Sequence, residues 1–415
     1  MIAQQASSWG PPTRSPEHEN RWPRGGDGAV AGHCGVTGQN RVIKMDVECV
    51  QAFSRNSLVT SRVLGKLSVG IFVLACLASA APLWAGISYD MVTVGNPGNG
   101  NDTGGSLIGS VGYSYRIGTY DVTIGQYAAF LNAVAATDTY SLYNSSLGTD
   151  GNVMGIQRGG ASGSYNYSVI GSANRPITYV SWFDAARFSN WMSNGQGGAG
   201  TTETGAYTLV GGQTSGTAPA ANAGAAFRLP DQNEWYKAAY YSPNYGGTGV
   251  AGYYAYATQS DTAPGNVIGS GANQANYNNG SYSVTQSPSY SSSQNYLTEV
   301  GAFTASGSFY GTFDQSGNVF QWNDLNGAPS STRGVRGGYW FPGDPDDLSS
   351  SNSSTRSTSY ANSDVGFRLA SSVLVPEPST SAMVLAGLAG LAGSMIRRRR
   401  GPGASHRQPT RRRKP

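Results

Sequence analysis

The segment from Gly317 to Trp322 reads Gly-Asn-Val-Phe-Gln-Trp, and the segment from Arg336 to Trp340 reads Arg-Gly-Gly-Tyr-Trp. Each joins glycine, which permits backbone conformations closed to other residues, to a large aromatic side chain that can anchor a core. Two further apolar segments, Phe227 to Pro230 and Gly366 to Leu369, each contain one arginine. Together these segments predict tight turns that lead into a packed interior.

Structural roles are expected for the large side chains of these segments and their neighbours. Four tryptophans supply apolar anchors in a sequence with few leucines and isoleucines. They are Trp182, Trp235, Trp322 and Trp340. Arg228 and Arg368 lie in apolar segments, where a guanidinium requires carboxylate or carbonyl partners. Glu234 is a candidate partner for one of the two arginines.

Sequence patterns predict three helices and several short strands between long loops. Apolar spacing indicates a helix across residues 126–135 with Thr123 as N-cap, and one across 182–192 with a capping box of Ser181 and Asp184. A short third helix is expected to run through residues 235–240. Strand-sized segments occupy residues 113–122, 176–180, 206–210, 225–229, 297–303, 317–322, 336–341 and 366–370. Residues 138–172 and 242–296 are predicted to be loops.

Six segments, in order, resemble the formylglycine-generating enzyme (sulfatase-modifying factor) family. They are residues 117–123, 175–185, 227–235, 317–322, 336–340 and 366–369. The resemblance implies an α+β fold, the loop-rich formylglycine-generating-enzyme variant of the C-type lectin fold, as a single domain over residues 86–374.

The chemistry that this resemblance implies is not supported by the residues present. Family enzymes oxidise a substrate cysteine with copper that two cysteines hold shortly after the Arg-Gly-Gly motif. Here the positions after Gly338 begin Tyr339-Trp340-Phe341, and residues 86–375 contain neither cysteine nor histidine. Copper(I) requires soft ligands, so no copper is expected and the sequence favours a protein that is not an enzyme.

Calcium is the metal that the resemblance leaves open. Family members hold it partly around a Gly-Asn-Val-x-Glu-Trp motif, and here Gln321 stands in the place of the glutamate. The candidate calcium ligands are Asn276, Tyr277, Asn318 and Gln321, with the site at Asn276 favoured; the alternative is that these amides only satisfy turns. A separate acidic run, Asp344 to Asp347, lacks EF-hand spacing and is more typical of a solvated loop.

Charge excludes one class of partner. The chain carries a net charge of +4, but residues 86–375 contain ten basic and seventeen acidic residues, for a net charge of −7. A nucleic-acid-binding surface would carry the opposite sign, so no nucleic-acid partner is expected.

The amino-terminal part of the chain is predicted to direct export. Residues 1–44 indicate a disordered arm or a mis-assigned upstream extension, with Met45 as an alternative start. Residues 45–85 contain basic residues, an apolar run and a small-residue exit, which is typical of a secretory signal read by signal peptidase; a membrane anchor is the alternative.

The carboxyl-terminal part resembles a sorting signal. Residues 375–400 combine Val-Pro-Glu-Pro-Ser, a mostly apolar stretch and four arginines, and a basic tail follows at 401–415. This order resembles the PEP-CTERM signal of Gram-negative bacteria, which implies that an exosortase reads Pro376, Glu377 and Pro378. Before processing, this segment is expected to contact the inner membrane and hold the protein there transiently.

The 25 tyrosines indicate what an exported domain without catalytic groups could do. Many lie beside serine, asparagine and glycine, as do Tyr165, Tyr253, Tyr282, Tyr290 and Tyr296, and such loops suit binding surfaces and stacking on sugar rings. The sequence therefore favours an exported binding or cell-surface module whose ligand is a polysaccharide or an envelope protein. The alternatives are a formylglycine-generating-type oxidase for sulfatase maturation and a structural matrix or biofilm protein.

Overall fold

The computed structural model describes residues 86–104, 107–341 and 344–371. The predictions for residues 1–44, 45–85, 375–400 and 401–415, including the sorting residues Pro376, Glu377 and Pro378, lie outside the described residues. The boundaries of the predicted domain, 86–374, stay a prediction.

Three α-helices are present in this part of the chain, and each begins at a reciprocal capping box. Helix α1 spans Ile124–Val134, α2 spans Trp182–Ser193 and α3 spans Gln232–Tyr240. Their N-caps are Thr123, Ser181 and Asp231, each paired with the side chain three residues further on. The cap side chain accepts from a free N–H of the first turn, so these short polar residues fix where each helix starts.

Among the described residues the strands are short and form five small sheets. Strands β1 (Met91–Val94), β2 (Tyr115–Gly118) and β13 (Ala370–Ser371) make an antiparallel sheet in the order β1-β2-β13. The four-stranded sheet has the order β11-β10-β9-β12, with β12 parallel to β9 and the other pairs antiparallel. Its strands are β9 (Phe320–Asn323), β10 (Thr332–Arg336), β11 (Ser354–Ser357) and β12 (Val365–Gly366).

Three two-stranded sheets lie in the segments predicted as loops or close to them. Their strands are β3 (Ile156–Gly159) with β4 (Asn166–Val169), β5 (Tyr241–Ser242) with β6 (Gly252–Tyr253), and β7 (Gly269–Ala272) with β8 (Phe303–Ala305). The loop prediction for 138–172 therefore missed an antiparallel hairpin, because its Gly/Ser/Asn/Tyr composition hides the pairing.

Several predicted strands are wrong or too long. Residues 206–210 and 225–229 contain no strand; only an isolated bridge joins Arg228 to Ala370. Residues 176–180 contain only a bridge at Pro176, and Tyr179 has a positive φ of 54°. The predicted strand over 113–122 is reduced to β2. In these segments the backbone is irregular and is held by individual hydrogen bonds. A short run of apolar residues therefore indicates burial here and not a strand.

The main core lies between α1, α2 and the four-stranded sheet. Phe130, Phe188 and Trp191 form a mutually contacting aromatic group with centroid separations of 5.3–5.5 Å. Trp322 is fully buried beside them in the same cluster and donates its indole N–H to the carbonyl of Val180 at 3.0 Å. Tryptophan and tyrosine thus supply the volume that aliphatic residues supply elsewhere.

The buried carboxylate of Asp324 links Trp182, another of the four predicted anchors, to the rest of the core. Asp324 accepts from Trp182 Nε1 at 2.7 Å, from Tyr207 Oη at 2.5 Å and from Arg333 Nε at 3.2 Å. Burial raises the pKa of Asp324, and the Arg333 guanidinium opposes that rise. None of the helices in the described part of the chain is both long and apolar enough to span a bilayer.

Candidate functional site: an aromatic platform and its polar support

The segments that the sequence predicts for calcium meet in the structure. Asn276 Nδ2 donates to Asn318 Oδ1 at 2.9 Å and to the carbonyl of Tyr296 at 2.9 Å. Asn318 Oδ1 also accepts from the backbone N–H of Thr298 at 3.2 Å. The carbonyl of Tyr277 accepts from Asn266 Nδ2 and Ser283 Oγ, both at 3.2 Å. These oxygens are engaged by protein donors, and calcium binding here stays a prediction.

Backbone geometry explains why glycine and asparagine occupy this position. Gly317 has a φ of 86°, and a Cβ on it would lie 2.4 Å from the carbonyl oxygen of Asn276. Asn318 has a φ of 68°, a left-handed conformation that asparagine tolerates better than most residues. Any other residue at 317 would force the two segments apart.

The fourth predicted calcium ligand, Gln321, belongs to a different network. Its Oε1 accepts from Trp235 Nε1 and from Arg368 Nε, both at 2.7 Å, and its Nε2 donates to the carbonyl of Asp314 at 2.7 Å. A guanidinium already supplies positive charge at this oxygen, which disfavours a second cation there. The structure therefore brings together Trp235, Gln321 and Arg368, and separates their contacts from those of Asn276.

The two apolar segments that contain Arg228 and Arg368 each contribute to a buried ion pair. Arg228 donates from both terminal nitrogens to Glu234 at 2.6 Å, so Glu234 is the partner of Arg228. Burial disfavours the charged form of Arg228, but the Glu234 carboxylate outweighs it and the pKa of Arg228 is raised. Arg368 lies 3.3 Å from Asp121, whose pKa burial raises well above its usual value.

Trp340 and Phe341, in the segment where the resemblance implies copper-binding cysteines, belong to an aromatic cluster with three tyrosines from residues 282–296. Trp340 stacks on Tyr296 with a centroid separation of 5.0 Å and an interplanar angle of 7°. Tyr296 also stacks with Tyr290 at 5.9 Å and 15°, and contacts Tyr282 at 4.4 Å. Phe341 contacts Trp340 at 5.2 Å. We call these five rings, Tyr282, Tyr290, Tyr296, Trp340 and Phe341, the aromatic platform.

The platform has three buried rings beneath two exposed ones. Tyr282, Tyr296 and Trp340 are buried, whereas Tyr290 is 52% exposed and Phe341 is 45% exposed. The two exposed rings stand at 86° to each other with centroids 5.9 Å apart. Buried neighbours restrict the motion of both, so the surface they present is pre-formed.

The polar network described above supports this platform from below. Asn276 Nδ2 holds the carbonyl of Tyr296, and the carbonyl of Asn318 accepts the backbone N–H of Trp340 at 3.1 Å. Among the described residues, the buried indole N–H of Trp340 has no acceptor. The predicted calcium residues therefore position two rings of the platform whether or not an ion binds beside them.

The donor set of this segment does not fit copper. Tyr339, Trp340 and Phe341 carry no thiol, imidazole or carboxylate, and Tyr339 packs its ring against Phe320 at 5.2 Å. Within the described ranges, no group of three or more histidine, cysteine, aspartate or glutamate side chains is placed to hold a metal ion. Thiolate-bound copper therefore has no ligands here, and no reaction step is derived through it.

The acidic run acts locally as a cap. Asp344 accepts from the N–H of Asp346 at 2.9 Å at the start of the 3-10 helix Pro345–Leu348. Asp347 accepts from Asn352 Nδ2 at 3.1 Å, and burial raises its pKa. These contacts account for the three aspartates as parts of a turn.

Sequence reasoning missed two residues of the site. Phe341 was not singled out, although its position between Trp340 and a Pro-Gly pair indicates a turn that would expose it. Asn152, which accepts from Tyr290 Oη at 2.5 Å, carried no signal, since it lies 138 residues away in sequence. Conversely, Tyr165 and Tyr253 were proposed for ligand stacking, but Tyr165 packs on Arg158 and Tyr253 packs among Tyr236 and Tyr241.

Comparison with known proteins identifies two segments. Residues 109–373 match the model for the sulfatase-modifying factor enzyme 1-like domain, and residues 374–400 match the PEP-CTERM protein-sorting motif. None of the curated proteins compared with the chain matches it.

Three solved structures are similar in fold. CarF is 23% identical, with 69% of this chain and 99% of CarF covered and a TM-score of 0.41. Treponema denticola variable protein 1 is 20% identical, with 69% and 96% covered and a TM-score of 0.39. PvdO from Pseudomonas aeruginosa is 19% identical, with 69% and 93% covered and a TM-score of 0.35.

The sorting motif determines where the protein goes. A PEP-CTERM tail directs exosortase-mediated sorting, so this protein is exported to the cell envelope of a Gram-negative bacterium. The sulfatase-modifying factor model matches more than half of the chain, over the residues that carry the buried ion pairs and the platform. The chain therefore belongs to the sulfatase-modifying factor enzyme 1-like family, on that family's loop-rich α+β fold.

Proposed function

We propose that this protein is a non-catalytic recognition module that acts in the cell envelope. The observation that carries the proposal is the stack of Trp340 on Tyr296, 5.0 Å apart, in the segment where family enzymes are expected to hold copper. Packed aromatic rings neither bind cuprous ion nor accept electrons from a substrate thiol. They do supply rigid apolar contact area, which recognition requires.

Other features of the domain support recognition over catalysis. Residues 86–375 contain no cysteine or histidine, so neither a thiolate nucleophile nor an imidazole base is available there. Burial raises the pKa values of Asp121, Asp184 and Asp324, and the ion pairs and helix caps of the fold oppose that rise. The ligand class foreseen from the sequence, a polysaccharide or an envelope protein, is retained in this proposal.

The finer steps of export belong to the proposal as well. Signal peptidase is expected to remove residues 45–85, and the apolar stretch within residues 375–400 is expected to hold the chain in the inner membrane until exosortase acts. Mass determination of the protein recovered from the envelope would test both steps, since each cleavage removes a defined segment.

Copper binding and peptide oxidation test the non-catalytic assignment directly. The full chain, purified after export, is loaded with cuprous ion, dialysed and incubated with a Cys-x-Pro-x-Arg peptide under oxygen. We expect no retained copper and no peptide aldehyde by mass spectrometry, while a cysteine-containing family enzyme gives both in parallel. Retained redox-active copper or any aldehyde product would refute the proposal.

A further inference from the structure

The exposed half of the aromatic platform is a surface for which the fold gives no internal use. Tyr290 and Phe341 are each about half exposed, although both are large apolar side chains whose burial would stabilise the fold. Their exposure is unlike that of Tyr165 or Tyr253, which are used in packing. An exposed pair of rings on a rigid support is a candidate contact surface.

The orientation of Tyr290 is fixed by hydrogen bonds as well as by stacking. Its hydroxyl donates to Asn152 Oδ1 at 2.5 Å, and Asn152 Nδ2 donates to the carbonyls of Ser291 and Gln294 at 2.8 and 2.9 Å. Asn152 is itself buried. The hydroxyl end of the ring is therefore fixed as well as its Cβ end, so the side chain of Tyr290 loses less conformational entropy when a ligand binds.

The chemistry around Tyr290 is polar and neutral. Ser289, Ser291 and Ser292 are exposed beside it, and no charged residue occurs between Asp261 and Glu299. A polyanionic ligand would require arginine or lysine, and a basic partner would require carboxylates, neither of which this segment supplies. The acidic run that follows Phe341 is engaged in its own turn, where Asp344 accepts from the N–H of Asp346 and Asp347 accepts from Asn352. Serine hydroxyls beside a flat apolar ring match a ligand that has both C–H faces and hydroxyl groups.

The size of the surface also limits its occupant. A half-exposed aromatic side chain offers about 100 Å² of contact area, so the two rings offer about 200 Å². A stable protein interface buries about 800 Å² on each partner. The platform is thus too small to hold a second copy of this chain by itself, but its two rings match the size of one or two sugar units.

We propose that Tyr290 and Phe341 bind a neutral polysaccharide, with a pyranose ring packed on the Tyr290 face, Phe341 bordering it and the flanking serines bonding its hydroxyls. This inference rests on the proposed function, because an oxidase would use the same segment for copper. It names the ligand class that the recognition module takes.

Titration calorimetry of the full chain tests the inference. The probes are neutral hexaoses of glucose, mannose, galactose and N-acetylglucosamine, and a hexauronate of the same length. At least one neutral hexaose is expected to bind and the hexauronate is not. Tyr290→Ala and Phe341→Ala should each weaken binding about tenfold or more, whereas Tyr290→Phe, which keeps the ring, should stay within about threefold.

A matched control separates the platform from general loss of an exposed ring. Phe309 is 42% exposed and lies outside the platform, so Phe309→Ala should leave the hexaose affinity unchanged. The unfolding midpoint of each variant is measured alongside to confirm that it is folded.

Four outcomes would overturn the inference. They are no binding of any neutral hexaose, equal binding of the hexauronate, unchanged affinity in Tyr290→Ala, and self-association of the wild type that Tyr290→Ala abolishes. None of these four outcomes contradicts the proposed non-catalytic function. That proposal is contradicted only by a positive result in the separate copper and peptide assay.

Discussion

Replacing Glu234 by glutamine should strongly destabilise the domain. The Glu234 carboxylate is fully buried and accepts from both terminal nitrogens of Arg228 at 2.6 Å, from Tyr113 Oη at 3.0 Å and from the N–H of Asp231 at 3.0 Å. Glutamine preserves the shape but turns an N–H₂ group toward these donors and leaves the Arg228 charge without a counterion. Removing one partner of a buried pair costs about 3–5 kcal/mol.

Urea unfolding, with a thermal scan, measures this loss. For a domain of this size the loss corresponds to a fall of about 6–20 °C in the unfolding temperature. Exposed Glu299 accepts from Ser172 Oγ at 2.7 Å, and Glu299→Gln is the matched control, expected within about 0.5 kcal/mol of the wild type.

A double variant tests the assigned cause. Adding Arg228→Met to Glu234→Gln removes the uncompensated guanidinium, so it should recover about 1–3 kcal/mol relative to the sum of the two single losses. If Glu234→Gln unfolds within about 1 kcal/mol of the wild type, or if the two losses simply add, the claim that charge pairing holds this segment is refuted.

Four further predictions concern buried groups. Burial raises the pKa of Asp314 to about 6 from 3.8, so the folded state binds more protons than the unfolded state between these two pH values. The stability that this proton contributes is fully present below pH 3.8 and is lost as the pH rises through 6. Urea unfolding at pH 4 and at pH 7 measures the difference. Burial lowers the pKa of Lys237 to about 8 from 10.5, so stability should rise again from pH 8 toward 10, and Lys237→Met should abolish that rise. Gln321→Glu would place a third carboxylate beside Arg368, close to Asp314. It should lower the free energy of unfolding by about 1–3 kcal/mol at pH 7 and by less at pH 5. An unchanged free energy of unfolding would contradict the hydrogen-bond network of Gln321. Calcium at the all-amide site of Asn276 should bind no tighter than about 0.1 mM, since carboxylates are absent from its contacts, and a loss of thermal stability on chelating micromolar calcium would contradict this.

Local signals in the sequence predicted the helices well. The three N-caps, Thr123, Ser181 and Asp231, act through residues three positions away, and such short-range chemistry is readable from one chain. The family and the sorting tail were also recognisable from ordered motifs. The strands were not, because most contain two to four residues and their pairing joins segments as distant as Ile117 and Ala370.

The candidate site was only partly predictable for the same reason. Tyr282, Tyr290 and Tyr296 stood out by composition, but so did Tyr165 and Tyr253, which are partly buried and pack against core clusters. Composition shows that a tyrosine can stack; it does not show whether its partner is another ring, an arginine or a ligand. That distinction depends on contacts such as Tyr290 with Asn152, which lie far apart in the chain.

Backbone geometry separates the supporting frame of the platform from the side chains that it exposes. Gly317, with its φ of 86°, lies against the backbone of Asn276, and the segments of these two residues hold the backbone of Tyr296 and Trp340 in place. The side chains that project from that backbone at 290 and 341 meet no such constraint. Changing those two side chains should leave the supporting backbone in place, because Asn276 holds the carbonyl of Tyr296 and not the side chain of Tyr290 or Phe341. The surface proposed for recognition is therefore separable from the fold, so Tyr290→Ala and Phe341→Ala should remove ligand binding while the unfolding midpoint stays close to that of the wild type.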